Sequence, residues 1–224
     1  MDTSKSKKIL TELEQGYDLI ADKFSSTRVF MWRDLEFLKD YIGPGDKVLD
    51  FGCGNGRLVG FLENDYQELV GVDISQKLID TATEKYSNEK TKFFKVDPEL
   101  SKLPFEDNSF DVIFSIAVFH HLPSKDYRLQ MAKELYRVLR PQGKLIVSVW
   151  NLWQKRFWRY HLKELGRSGL DWGDLYVPFK AGNRIFDRYH HAFRKRELVS
   201  LFHKAGFKKT DLRKNWNMLY IGHK

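Results

Sequence analysis

Lys47-Val48-Leu49-Asp50-Phe51-Gly52-Cys53-Gly54-Asn55-Gly56 is the stretch on which the reading of this chain turns. A short apolar strand delivers an acid, Asp50. Three glycines at alternate positions follow, Gly52, Gly54 and Gly56, and then an apolar-periodic segment, Arg57 to Leu62, that starts a helix. Glycine lets a backbone turn sharply and approach a ligand closely. In open α/β sheets ligands bind beyond the carboxyl ends of the strands, where strand order reverses. Taken alone, the loop is equally a tight strand-to-helix turn.

Outward from the loop, strands and helices alternate. Leu69 to Asp73, Lys92 to Val96, Asp111 to Val118 and Lys144 to Trp150 have strand character. Gln76 to Tyr86 and Asp126 to Arg140 have helical spacing, the second with Leu129, Ala132, Leu135 and Leu139 on one face and Pro141 and Gly143 to stop it. Upstream, Ile9, Leu10, Leu13, Tyr17 and Ile20 predict an amphipathic helix, followed by a turn at Gly43-Pro44-Gly45-Asp46. Downstream, Arg196 to Ala205 reads as a helix capped by Gly206, and two short strands near Lys209 to Arg213 and Asn217 to Ile221 close the chain. The expected fold is a doubly wound, mostly parallel seven-stranded α/β sheet with an antiparallel last strand.

The 224 residues, 42% apolar, suit one buried core. We therefore expect a single domain over 1–224: an N-terminal helical segment (1–42), a cofactor-binding core (43–150), a basic–aromatic substrate-binding insertion (151–195) and a C-terminal helix with strands (196–224). No apolar run approaches the length of a membrane span. Met1 to Lys8 lacks the apolar region of a secretory signal. The single cysteine, Cys53, excludes an internal disulfide framework and a cysteine-based metal cluster. No metal and no membrane are expected, and the cytoplasm is the expected location. The net charge of +8 is unevenly spread: residues 151–224 carry 17 Lys/Arg against 6 Asp/Glu, whereas 1–150 carry 21 against 24. Cations interleaved with Trp153, Phe157, Trp158, Tyr160 and Trp172 suit a polyanion with exposed bases, or equally a solvated basic face.

The chemistry rests on four elements in order. After the glycine loop, Asp73 ends the second strand, 17 residues past Gly56 and just before Ile74. A carboxylate there can accept from both ribose hydroxyls of an adenosine. Asp97, after the third strand, is placed to accept from the adenine amine. Leu103-Pro104-Phe105 and Asn108-Ser109-Phe110-Asp111 then lead into the strand carrying Ser115 and Ile116. A dinucleotide site prefers Gly-x-Gly-x-x-Gly. The spacing here instead resembles the S-adenosylmethionine (SAM) loop of class I methyltransferases, which have a Rossmann-like fold. That resemblance implies SAM as cofactor, with Asp50, Gly52, Gly54, Gly56, Asp73, Ile74, Asp97, Ser115 and Ile116 around it. Asp97 lies six residues before Leu103, further than the class commonly has it, and Pro98 lacks an N–H. Either Glu99 or Leu100 then supplies the backbone donor to adenine, or Glu99 replaces Asp97; the spacing from Phe93 favours Asp97.

Narrower stretches resemble the tRNA wobble-uridine methyltransferases that esterify 5-carboxymethyluridine. They are Tyr17-x-x-Ile20-Ala21-x-x-Phe24-Ser25-Ser26-Thr27-Arg28 with Trp32, Ser115 to His121, Asp174 to Phe179, Arg188-Tyr189-His190-His191-Ala192-Phe193 with Glu197-Leu198, and Asn215-Trp216. Phe179 stands where the family has Trp, and His190 where it has a second Tyr. The resemblance implies tRNA as substrate, Arg28, His120, His121 and Arg188 as the groups holding its carboxylate, and Tyr189 and His190 in substrate binding. It also implies a possible partner, a small zinc-containing activator subunit pairing on the Lys92 to Val96 edge strand, with the chain a monomer or heterodimer. Each residue also has a plain structural reading, as a loop cap or a satisfied loop histidine. Two other functions compete: a small-molecule (quinone or secondary-metabolite) methyltransferase, and a non-catalytic SAM- or tRNA-binding subunit.

Overall fold

A computed structural model describes residues 1–30, 32–63, 65–165 and 169–224. Residues 166–168 of the basic–aromatic segment lie outside the described residues. Five parallel strands form the centre of the sheet's first half: β1 (Lys47–Phe51), β2 (Glu68–Asp73), β3 (Thr91–Lys95), β4 (Phe110–Ile116) and β5 (Leu139–Trp150). With β8 (Lys208–Lys214) and β9 (Asn217–His223) the order is β3-β2-β1-β4-β5-β9-β8. The last strand, β9, runs antiparallel to both β5 and β8. Order reverses between β1 and β4, so the carboxyl ends of these two strands frame the crevice.

Successive residues of each strand face opposite sides, which assigns Val48 and Leu49 to different cores. Val48 packs with α2 (Arg57–Leu62), α3 (Gln76–Tyr86) and a 3-10 segment, Arg33–Tyr41. Leu49 packs with α4 (Lys125–Val138) and α6 (Lys195–Ala205). Gly206 caps α6 in the left-handed region, as its sequence predicts. α4 differs from expectation. It stops at Val138, before Pro141 and Gly143, and both residues sit in β5. Its buried face is Arg128, Met131, Ala132, Leu135 and Val138, with Leu129 only half-buried.

The segment after β5 holds a short helix, α5 (Trp158–Glu164), and a hairpin that the sequence reading left unassigned. Strands β6 (Asp174–Ala181) and β7 (Arg184–His191) pair antiparallel around Gly182-Asn183, with Gly182 at φ +62°. A two-residue hairpin loop needs such a residue. The hairpin lies on α1 (Thr3–Ser26), where Phe186 and Tyr189 pack with Ile9, Leu13 and Ile20. A Cβ on Gly16 would fall 2.1 Å from the Phe186 ring, so helix and hairpin meet as closely as glycine permits. Among the described residues no helix is long and apolar enough to cross a membrane.

The hairpin is tied to α6 through His191. Its Nδ1 lies 2.7 Å from Asp174 Oδ1 and its Nε2 2.7 Å from Glu197 Oε1. Asp174 and His191 are both buried. Removing one member of a buried pair strands the other. His191→Ala should therefore cost about 3 kcal/mol of stability, read as a lower urea midpoint at unchanged m value; an unaltered midpoint would count the pair out as the tie.

Candidate active site

One cleft of about 1260 Å³, mouth included, opens at the carboxyl ends of β1 and β4. Asp50, Asp73 and Asp97 line it, and so do Arg28, Arg57 and Arg188. The glycine loop is held from below. Asp73 accepts from the Gly54 N–H through Oδ2 (2.9 Å) and from the Ser75 N–H through Oδ1 (2.9 Å). Gly52, Gly54 and Gly56 all have positive φ. A Cβ on Gly52 would lie 2.2 Å from Val118 Cγ2, so only glycine fits between the loop and β4's exit.

These features fit SAM. Each Asp73 oxygen keeps a lone pair beyond its backbone bond, and the residue faces the cleft. Asp50 is 2% exposed, and burial, with the nearby charge of Asp73, raises its pKa to about 7. A carboxyl so destabilised suits a cationic group such as the amino group of the cofactor. Asp97 stays on the cleft, whereas Glu99 points to Lys7, 2.7 Å away. Both candidate backbone donors are engaged within the turn: the Glu99 N–H donates to Asp97 Oδ1 (2.7 Å) and the Leu100 N–H to the Asp97 carbonyl (3.0 Å). Ile74 and Ile116 line the cleft, with Ala117 and Val118. Ser115 does not: it is fully buried and its Oγ has no partner.

At the far wall the 3-10 turn Phe119–His121 meets α1 and β7. His121 Nδ1 lies 2.8 Å from the Tyr189 carbonyl, so that nitrogen carries the proton, and Nε2 accepts from the Tyr17 hydroxyl (2.9 Å). His120 Nδ1 accepts from the Trp150 N–H (3.3 Å), leaving Nε2–H unpartnered. Burial, then the charge of Arg188, lowers the His121 pKa to about 3; burial also pushes His120 far down. Both rings are neutral near pH 7, so neither supplies the positive charge expected of it.

Arg188 does. It is 4% exposed, and its guanidinium sits between the rings of Trp150 (5.2 Å) and Phe179 (5.1 Å). Its Nε is unpartnered, and no carboxylate among the described residues forms a salt bridge with it. Arg28 stands near enough for Arg188 to depress its pKa, after burial. Tyr189 and His190 are not on the cleft wall. Tyr189 is buried against α1, and His190 donates from Nδ1 to the Arg188 carbonyl (2.8 Å) while stacking on His120. Three residues went unassigned in the sequence. Trp150 carries no local signal of its place, whereas Tyr17 heads the N-terminal signature and Arg57 directly follows the last loop glycine. Burial lowers the Arg57 pKa to about 10, and its NH1 is unpartnered.

Fold and cleft define a SAM-dependent methyltransferase of class I, and comparison with known proteins agrees. Residues 49–147 match the methyltransferase-domain family. A Methanosarcina mazei SAM-dependent methyltransferase superposes with TM-score 0.72 at 22% identity, covering 87% of this chain and 98% of that one. A Haloferax volcanii chain from a complex between the Trm112 methyltransferase activator and a methyltransferase gives 0.66 at 18%, covering 92% and 96%. The tRNA (carboxymethyluridine(34)-5-O)-methyltransferase of Schizosaccharomyces pombe is 32% identical over 214 residues, 87% of each chain. Its counterpart ALKBH8 of Mus musculus is 38% identical over 159 residues, 68% of this chain and 22% of that one. The chain thus spans about a fifth of the length of the first curated relatives it matches. The chain belongs to the tRNA (carboxymethyluridine(34)-5-O)-methyltransferase family, and its cofactor is SAM.

Asp50 yields a test in two directions. Its folded pKa lies above the unfolded carboxyl value near 4, so the native state binds the extra proton and stability falls as pH rises between about 4 and 7. Asp50→Asn should raise the melting temperature of the cofactor-free protein at pH 8, and the gain should vanish near pH 4. The same variant should bind SAM about 30-fold more weakly by calorimetry, because a buried charge partner is lost.

Proposed function

We propose that the protein methylates the carboxylate of 5-carboxymethyluridine at the wobble position of tRNA, giving the methyl ester. The observation that carries this reading is the buried guanidinium of Arg188, kept at the wall of the cofactor cleft without a carboxylate partner among the described residues. Bound SAM supplies an electrophilic methyl group: a carboxylate oxygen forms the new O–CH3 bond as the S–CH3 bond breaks, leaving S-adenosylhomocysteine. A carboxylate is already a nucleophile at pH 7, so no general base is required, and neutral His120 and His121 suit that economy.

What the residues must do is align the acid and exclude competing water. Arg188 and Arg28 hold the carboxylate, arginine's planar fork matching its two oxygens. His120 Nε2–H, the unpartnered donor, adds a neutral hydrogen bond. Asp50, Asp73 and Asp97 hold the cofactor at the opposite end. The basic segment 151–224 attracts the tRNA backbone, a charge that a small neutral acceptor such as a quinone leaves without a purpose.

We also propose a small activator subunit as partner, seated on β3. That strand is an edge of the sheet, and Phe94 on it is 47% exposed. β-strand addition to such an edge is a recurring mode of pairing. The support is fold-level, from the Haloferax volcanii complex.

Labelled SAM with tRNA carrying carboxymethyluridine tests the substrate, with and without a Trm112-type activator. Ester formation on the tRNA is expected; label transferred only to small metabolites would sink the proposal. Arg188→Ala should lower kcat/KM about 100-fold, in the range seen when one charge-stabilising donor is removed, with SAM affinity unchanged. Phe94→Asp should abolish co-purification with the activator and leave SAM binding intact; retained co-purification would move the partner off β3.

A further inference from the structure

Beyond Trp150, on the cleft wall, β5 leads into a rim that the chemistry above does not use. Trp150 pairs with Asn217, so the residue before it, Trp216, stands at the same end of the sheet. The β8–β9 turn is clipped to the segment after β5: Asn151 Nδ2 donates to the Asn215 carbonyl (3.1 Å) and Gln154 Nε2 to the Trp216 carbonyl (2.9 Å). On this fixed rim Trp216 is 64% exposed and Trp158 61%. The Arg156 guanidinium lies 5.1 Å from the Trp216 ring centre.

Lys155, Arg159 and Lys214 are exposed beside them, and none forms a salt bridge among the described residues. Of the acids nearest in the chain, Glu164 is buried and Asp211 is already paired with Arg213 (2.7 Å). Two wide aromatic faces left in water, among cations whose nearest acids are buried or already paired, make a poor surface for a folded acidic protein, which would meet them with charge alone. They match a strand that has flat bases and phosphates together.

Resting on the tRNA reading above, we propose that Trp158, Trp216 and Arg156 form a stacking platform for unpaired bases flanking the methylated uridine. Lys155, Arg159 and Lys214 pair with the phosphates of the same strand. The platform holds the loop open at the mouth of the cleft, so that the target side chain enters while its neighbours remain outside. It acts on strand binding and leaves the cofactor site untouched.

The test uses the full chain with the double change Trp158→Ala and Trp216→Ala. Affinity for an unmodified anticodon stem–loop RNA is read by fluorescence anisotropy, alongside SAM calorimetry and melting temperature. The expected result is RNA binding weaker by about 10-fold or more, a KM for tRNA raised by a similar factor, kcat within about twofold, and unchanged SAM affinity and melting. Wild-type RNA affinity in a double variant that still binds SAM and melts normally would overturn the platform. So would rings that bind phosphatidylserine vesicles more tightly than RNA. If the wild type bound the stem–loop through these rings yet esterified no carboxymethyluridine, the platform would stand and the substrate reading would fall. If esterification proceeded while the double variant matched wild type throughout, the reverse would hold.

Discussion

A guanidinium kept out of water without a counter-ion is the constraint around which this molecule is arranged. Stripping Arg188 of solvent is costly, and no carboxylate among the described residues offsets it. Its neighbours compensate in part: the faces of Trp150 and Phe179 provide cation–π contact. The hairpin β6–β7 carries this residue. α1 presses on the hairpin with a glycine at the point of closest approach, and His191 ties it to α6 through two carboxylates. On the proposed reading, part of the protein's stability is given over to a positive charge that an anion completes.

The histidines answer first to burial. It drives His120, His121 and His190 to the neutral form, and the charge of Arg188 acts in the same direction. Backbone partners then set the tautomers: carbonyls of Tyr189 and Arg188 take the Nδ1 protons of His121 and His190, and the Trp150 N–H takes the lone pair of His120. Their ring nitrogens lie within 4.8 Å of one another, a spacing that invites a metal. The tautomer of His120 argues against one, because its Nε2 carries a proton rather than a free lone pair, and Arg188 adds repulsion.

Much of the sheet was legible because local signals agreed with tertiary context. The alternate glycines, the acids at strand ends and Gly206 each have one physical use, and the chain puts them to it. What was not legible depended on contacts distant in sequence. Pro141 and Gly143 look like helix stops, yet α4 had already ended at Val138 and β5 begins at Leu139. The hairpin was hidden by the charged and aromatic composition of its segment, although Gly182-Asn183 was an available turn signal. Tyr189 and His190 follow Arg188 in one signature, but neither reaches the cleft wall, and a sequence signature does not separate the residue that faces the site from those that support it.

The distribution of charge along the cleft connects these points to chemistry. Asp50, Asp73 and Asp97 line the cleft together with Arg28, Arg57 and Arg188, and Asn55 of the glycine loop donates to the Arg28 carbonyl (3.2 Å). A cleft lined by both signs suits two ligands of opposite charge, a cationic cofactor and an anionic acceptor. Charge on both reactants is lost in methyl transfer, so a site that held the carboxylate too tightly would stabilise the ground state more than the transition state. On the proposed reading, two arginines with neutral histidines beside them align the acid without a general base and leave its nucleophilicity in place.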